Sequence, residues 1–506
     1  MQPELVATLR QRLVAATTPG PGAPPTRAAL ALMRGDTGEV LAVVDHDPTR
    51  APSAFAPTTA LAERALTRLL DDRDPATGAP TAPGTGRGEE APWNQAIAIG
   101  STLKPMLARA AELAAPDHTR ALVLRVDGAT GPGQVCPRRR GPATTALLGY
   151  CPPTPLVDHA DTADLHGYLA RSLNWFHAGL GLLALDWPRA ATPVDALDAW
   201  SRDRPLTIEG GVLLGSRGVR IDSLRATPLW RRFEQVLGRP LCTDGDKATC
   251  QRAGDRRDLC AARALPVPAP SAALRYLVAT GPDRFDVYGD DRPDQRRVPV
   301  GEYLQFLRGS GVHPVGSLLQ LADAFARVLY DEPDPDGHHH LAASWFPAPA
   351  VAAAPAWDCG QATTAAATVR GADGGLCGAV RPGGTAHRAL APVLADPRVR
   401  LHGAKTGTID ALAEVATSPR RCKAWNRRHT LPGRPAEAAA QPYWMRCGQA
   451  PADDTLLVVG FSLATPSGQV PLALAILVQR GGKGAAAALA PGLIDDVRAY
   501  LAPALP

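Results

Sequence analysis

The sequence predicts an α/β protein of the α+β kind: an antiparallel sheet of about five strands covered by helices, with a mostly helical subdomain beside it. Three observations predict this. Strand-like runs sit near both ends of the chain, ALALMRGDTGEVLAVVD early and TLLVVGFSLAT and VPLALAILVQ late, so one sheet has to be assembled from distant halves. Helical patterns dominate residues 101–200, return at 300–330 and close the chain. The 506 residues are 45% hydrophobic and 20% charged, which suits a globular protein able to bury one large core or two.

Residues 1–16 read as a short amphipathic helix that the proline-rich TTPGPGAPPT breaks, so 1–26 is an N-terminal helix and linker and the main domain runs 27–506. The first strand pair turns at GDTGE, where Asp-Thr-Gly suits a tight hairpin. DPATGAPTAPGTGRGEEAP, residues 74–92, is a loop by composition. The two late strands are separated by TPSGQ. Pro, Gly, Ala and Cys accumulate at about 203–300 and 331–395, which read as insertions or long loops.

Charge excludes some functions. A net charge of +5 is small for this length and the charges are interspersed, so neither a nucleic-acid footprint nor a polybasic membrane patch is expected. Arg138, Arg139 and Arg140 read as a solvated loop. His338, His339 and His340 sit in DPDPDGHHH, an acidic, proline-rich stretch with no helical i, i+4 pair, and no two cysteines have C-x-x-C spacing. There is no P-loop and no dinucleotide fingerprint, so neither metal nor cofactor is expected.

Residue choice is more informative. Of 54 Lys+Arg, only five are lysines: Lys104, Lys247, Lys405, Lys423 and Lys483. Where lysine persists in such an arginine-rich chain, a candidate reason is chemistry that a permanently protonated guanidinium cannot do. Asparagine is as scarce, with Asn94, Asn174 and Asn426. Two of these lysines and one asparagine fall in short motifs, in the order Ser101-Thr-Leu-Lys104, Ser172-Leu-Asn174 and Lys405-Thr406-Gly407-Thr408. Each pattern is expected by chance roughly 0.03 to 0.13 times in this composition, so the set is far less accidental than any member. Alone, Ser101 would be a good helix N-cap. With Lys104 at i+3 it shares a helix face with an amine that could remove its proton.

In these motifs, and in NQAIAIGSTLKP, DLHGYLARSLNWFHAGLG and VHPVGSLLQLADAFARVL, the chain resembles the transpeptidase domain of penicillin-binding proteins, within the serine β-lactamase and penicillin-binding superfamily. The resemblance runs from about residue 27 to the C terminus and implies a β-lactamase/transpeptidase-like fold. It implies that Ser101 is the nucleophile, at a helix N-terminus, and Lys104 its base. Burial and a second cation, Lys405, would lower the pKa of Lys104. Ser172 would relay protons toward the leaving amine, and Asn174 would hold Lys104 and the substrate backbone. Lys405–Thr408 would be a sheet-edge strand. Gly407 there leaves room for an extended peptide, and Thr406 or Thr408 binds a carboxylate. The N–H groups of Ser101 and Thr408 would form the oxyanion hole.

The implied function is a D,D-transpeptidase that cross-links peptidoglycan stem peptides ending in D-alanyl-D-alanine, with β-lactams as inhibitors acylating the same serine. An alternative is a β-lactamase-like serine hydrolase, but the only Glu/Asn pair of the required spacing, Glu90 and Asn94, precedes Ser101. A second alternative is a catalytically weak penicillin-binding scaffold or sensor. The implied location is the cell envelope, periplasmic or otherwise extracytoplasmic. No signal peptide or anchor is visible, so an upstream segment or a membrane-anchored cell-wall partner is expected, and about 26 residues ahead of the domain leave no room for a glycosyltransferase. Nine cysteines allow local disulfides, 136 with 151, 359 with 377, 422 with 447, and two among 242, 250 and 260, which would suit an oxidising compartment.

Overall fold

The computed structural model describes residues 3–18, 26–48, 97–116, 119, 122–126, 134–137, 146–151, 161–173, 176–177, 180–181, 206–208, 211–213, 219–220, 227–237, 297–298, 307, 315–316, 318–331, 341, 343, 385–409, 454–466, 468–482 and 484–504. Its centre is a five-stranded sheet of β1 (Arg27–Arg34), β2 (Val40–His46), β3 (Val399–Ile409), β4 (Asp454–Thr465) and β5 (Gly468–Gln479). The order is β3-β4-β5-β1-β2, with every neighbouring pair antiparallel. Two local hairpins, β1–β2 and β4–β5, are zipped together from Arg27 opposite Gln479 to Arg34 opposite Leu472. The sheet is therefore built from distant halves, as the strand-like runs predict, and β3 is left at an edge.

The two faces of the sheet bury different chemistry. Alternation puts Leu30, Leu32, Leu457, Val459, Phe461, Leu472, Leu474 and Ile476 on one face, where they join a single apolar cluster. That face is covered by α1 (Pro3–Thr17), α6 (Thr385–Leu394) and α7 (Ala485–Ala504). Leu5, Leu9 and Leu13 of α1 belong to the same cluster, and Arg12 donates to Asp496 of α7 at 2.7 Å, so the N-terminal helix shares this core. Each such leucine contributes roughly 1.5–3 kcal/mol by leaving water.

The second face presents small residues, Ala29, Ala31, Gly460, Ala473 and Ala475, to α5 (Leu318–Tyr330). The fit is close: a Cβ on Gly460 would overlap Leu329, and one on Gly35 would overlap the Tyr330 ring. Tyr330 donates its hydroxyl to the Leu472 carbonyl at 2.9 Å, tying α5 to the sheet. Outside α5 lie α2 (Lys104–Ala114) and α4 (Pro228–Leu237), with α3 (Leu165–Arg171) against α2.

Two stretches differ from expectation. Residues 203–300 were expected to be insertions or long loops, but α4 forms inside them and buries Leu229, Trp230, Phe233, Val236 and Leu237. Their i, i+4, i+7 spacing is a helical stripe hidden in an otherwise Pro- and Cys-rich composition. Within residues 101–200, expected to be helical, segments 124–126, 134–137, 146–151 and 161–163 form a small four-stranded sheet. Its strands are three to six residues long, too short for periodicity to betray, and 124–126 pairs in parallel with 146–151.

In that sheet Cys136 lies opposite Gly149 and Cys151 opposite Gln134, so the two cysteines are two register positions apart on paired strands. Cys242, Cys250, Cys260, Cys359, Cys377, Cys422 and Cys447 lie outside the described residues, as do Arg138–Arg140, His338–His340 and Asn174. Among the described residues, no helix is long and apolar enough to cross a membrane.

Candidate active site

Ser101 is reached through residues 97–98, which pair with 315–316. Gly100, at φ 55°, turns the chain into a 3₁₀ turn, Gly100–Leu103, and α2 begins only at Lys104, with Pro105 in its first turn. The residues that flank these helices, Ile99 and Leu103, make no side-chain cap bond, and Ser101 lies inside the 3₁₀ turn. It is therefore not an N-cap, and it sits one turn ahead of the α-helix rather than at its first residue. Lys104 thus follows Ser101 by one turn, as the first residue of α2. The Lys104 N–H donates to the Ser101 carbonyl, and the buried Thr102 hydroxyl donates back to the Ile99 carbonyl, which holds the turn closed.

Ser172 is presented by the end of α3. Asp164 starts that helix, its carboxylate accepting the Gly167 N–H at 2.7 Å. The helix stops at Ser172, whose φ of 55° and ψ of 42° are left-handed. A non-glycine residue there costs about 1–2 kcal/mol, a strain that persists where the surroundings hold it and that recurs at functional sites. Here the surroundings are two lysines. Lys104 Nζ donates to Ser172 Oγ at 3.0 Å and to its carbonyl at 2.7 Å, and Lys405 Nζ donates to the same Oγ at 2.9 Å. With both lone pairs of Oγ engaged by these amines, its own proton is directed away from them.

Both lysines are almost fully enclosed, at 0% and 2% exposure. Burial lowers Lys405 from the ordinary 10.5 to about 8. The two amines meet at one oxygen, so they are no more than about 6 Å apart, a range in which like charges disfavour each other. Lys104 Nζ sits 5.7 Å from the centre of the Tyr168 ring, which stacks on Phe176 at 4.9 Å. Burial pushes the Tyr168 phenol well above 10, keeping it protonated. The site thus holds two desolvated amines and a neutral aromatic wall.

Residues 405–408 lie on β3, at the sheet edge, where no further described strand pairs with the outer backbone groups. They abut the Ser101 turn backbone to backbone. A Cβ on Gly100 would lie 3.0 Å from the Thr408 carbonyl oxygen, and one on Gly407 would lie 3.1 Å from Thr102 Cγ2 and 3.2 Å from the Ile99 carbonyl oxygen. Glycine at these two positions is what allows the strand and the turn to touch. Thr406 and Thr408, half-buried, alternate with Lys405 and Gly407 along the strand.

The structure therefore brings the Ser101–Lys104 turn, Ser172 and the 405–408 strand together from across the chain. Asn174 is outside the described residues. Tyr168 was not foreseen, although its position four residues before Ser172 on a predicted helix marked it as a neighbour of the site. His402, taken up below, carried no motif at all.

No family model matches the chain, and no curated protein matches it. Solved structures that match include penicillin-binding proteins. The chain is similar to the transpeptidase domain of Burkholderia pseudomallei penicillin-binding protein 3, at 14% identity and TM-score 0.40, over 100% of this chain and 97% of that one. Penicillin-binding protein 2B of Streptococcus pneumoniae matches at 12% identity and TM-score 0.41, over 98% of this chain and 58% of that one. Penicillin-binding protein 3 of Mycobacterium tuberculosis, complexed with aztreonam, matches at 13% identity and TM-score 0.38, over 98% of this chain and 76% of that one.

Proposed function

We propose that the protein is a serine acyltransferase of the penicillin-binding kind, a D,D-transpeptidase acting on peptidoglycan stem peptides in the cell envelope and acylated by β-lactams. One observation carries this reading: Ser172 Oγ bridges two buried lysine amines at 3.0 and 2.9 Å, one of them a single 3₁₀ turn from Ser101.

Neutral Lys104 takes the proton of Ser101 as its Oγ attacks the penultimate carbonyl of the stem peptide. The tetrahedral oxyanion lies at the junction of the Ser101 turn and Thr408, whose N–H groups are the proposed donors. Collapse breaks the peptide bond. The proton held by Lys104 passes through the Ser172 hydroxyl to the departing D-alanine amine, leaving an acyl-serine. An amine of a neighbouring stem then attacks that ester, gives its proton back along the same relay and restores Ser101; water in place of the amine yields the carboxylic acid. Lys405 keeps the relay polarised and meets the terminal carboxylate beside Thr406 and Thr408, while the peptide lies along the open edge of β3. With a β-lactam the leaving nitrogen stays tethered, and the acyl-serine persists.

The test is mass spectrometry of the intact chain after incubation with a fluorescent penicillin. The expected result is one adduct, mapped to Ser101 and absent from Ser101→Ala. Absence of any adduct on the folded chain overturns the reading. Rapid multiple turnover of a chromogenic β-lactam would replace transpeptidase with hydrolase.

A further inference from the structure

The strand that carries Lys405 changes phase three residues before it. Val399 and Leu401 belong to the apolar cluster and lie opposite Leu463 and Phe461 of β4. Ala404 belongs to the same cluster and lies opposite Val459. From 401 to 404 is an odd step, whereas side chains of a regular strand return to a face every second residue. The register shows why: pairing jumps from Leu401 opposite Phe461 to Gly403 opposite Gly460, leaving His402 as an extra residue on β3. A regular strand continued from Leu401 would send residues 403 and 405 to the apolar face, under α6 and α7. The bulge instead turns Lys405 and Gly407 to the second face, toward Ser172 and the Ser101 turn.

His402 is held from two sides. Its Nε2 shares a hydrogen bond with Ser462 Oγ at 3.1 Å. Its ring meets Tyr330 edge to face, with centroids 5.4 Å apart at 69°. Tyr330 is in turn anchored by its hydroxyl to the carbonyl of Leu472 at 2.9 Å. His402 itself is 6% exposed. A bulge can slide along a strand, and a slide of one residue would reverse every side chain it passes; a buried imidazole bonded to the neighbouring strand and wedged against α5 prevents that slide.

We propose that His402 is a positioning residue for the acyl-transfer site: as the extra residue of a bulge clamped by Ser462 and Tyr330, it fixes the strand phase that aims Lys405 at Ser172. The activity readout rests on the acyl-serine reading above; the placement of Lys405 is tested without it.

The experiment uses the full chain with carbon-13 lysine, whose five lysines give few enough signals to follow, Lys405 being assigned by its loss in Lys405→Arg. In the parent protein the Lys405 signal is expected to titrate near 8. In His402→Ala it is expected to move toward 10.5 as the side chain reaches water, and acylation by the fluorescent penicillin is expected to slow about a hundredfold while the thermal transition remains cooperative. Ser462→Ala should reproduce both changes, and the double variant should be no worse than either single one. His402→Gln, which keeps a partner for Ser462 Oγ, should restore acylation to within about threefold of the parent.

The proposal is overturned if folded His402→Ala and Ser462→Ala both keep the parent titration of Lys405 and the parent acylation rate. Should His402→Ala fail to fold, Ser462→Ala, which removes a single hydroxyl, decides the same comparison alone. Should the parent protein take no penicillin, the acyl-serine reading fails, and the lysine titration still decides whether the bulge places Lys405.

Discussion

The two faces of the central sheet have the same backbone and opposite chemistry. One is a layer rich in Leu, Ile and Val under α1, α6 and α7, where the buried Thr455 hydroxyl accepts the Ala486 N–H at 3.1 Å. The other mixes Ala and Gly with Leu456, Val458 and Leu477, admits α5 at close range at Gly460, and keeps His402, Lys405 and Ser462 almost fully buried. The first face gains stability from apolar burial. The second spends part of that gain on desolvated polar groups held in fixed positions, which is what an electrostatic site requires. The lesson is that stability and chemistry are separated by the pleat of single strands.

Substitutions on the two faces should therefore fail in different ways. The largest effect is expected on the second face: Lys405→Ala should reduce acylation by about 10²–10⁴ with little loss of stability, read from the rate of penicillin labelling and a thermal melt. The proposed mechanism uses Lys405 as a cation, and burial lowers it to about 8, so the parent acylation rate should fall as pH rises through that value. On the first face, Ile476→Ala should cost about 2–5 kcal/mol in chemical denaturation, while the fraction that remains folded labels at the parent rate. If Ile476→Ala changed the labelling rate as strongly as Lys405→Ala, the separation of the faces would be wrong.

A smaller effect should have opposite signs in the two readouts. Ser172→Gly relieves a left-handed residue, so stability should hold or rise by up to about 1 kcal/mol, while labelling falls because the bridge between the amines is gone. The last effect lies at the start of β4 and is read only as a pH dependence. Asp454 is buried and raised from 3.8 to about 8, chiefly by desolvation and against the Arg480 N–H it accepts at 2.8 Å. The folded protein holds that proton more tightly than the unfolded chain. Its contribution to stability is thus complete below 3.8, declines as pH rises and is lost above about 8. Asp454→Asn should flatten that part of the stability profile, measured by denaturation at a series of pH values; an unchanged profile would remove Asp454 from the account.

Much of this was legible from residues alone. The strand runs and helical stripes announced the sheet and its cover, because apolar periodicity is a local property. The three short motifs named Lys104, Ser172 and Lys405, whose polar atoms the fold brings to one oxygen. The helix of residues 228–237 was legible too, in the spacing of Leu229, Phe233 and Val236, but composition obscured it. The four short strands between 124 and 163 were not, since their pairing is decided by partners elsewhere in the chain.

What the sequence by itself determined is which residues are chemically able: a serine three residues before a lysine, a second serine, a second lysine followed by threonine and glycine, and enough periodic apolar surface to bury them. Tertiary structure alone decided that these groups meet. The direction of a side chain on a strand depends on register, and register depends on the opposite strand; the jump at His402 is visible only against β4. Likewise the left-handed turn at Ser172 is held by contacts to lysines 68 and 233 residues away, and no local preference would select it.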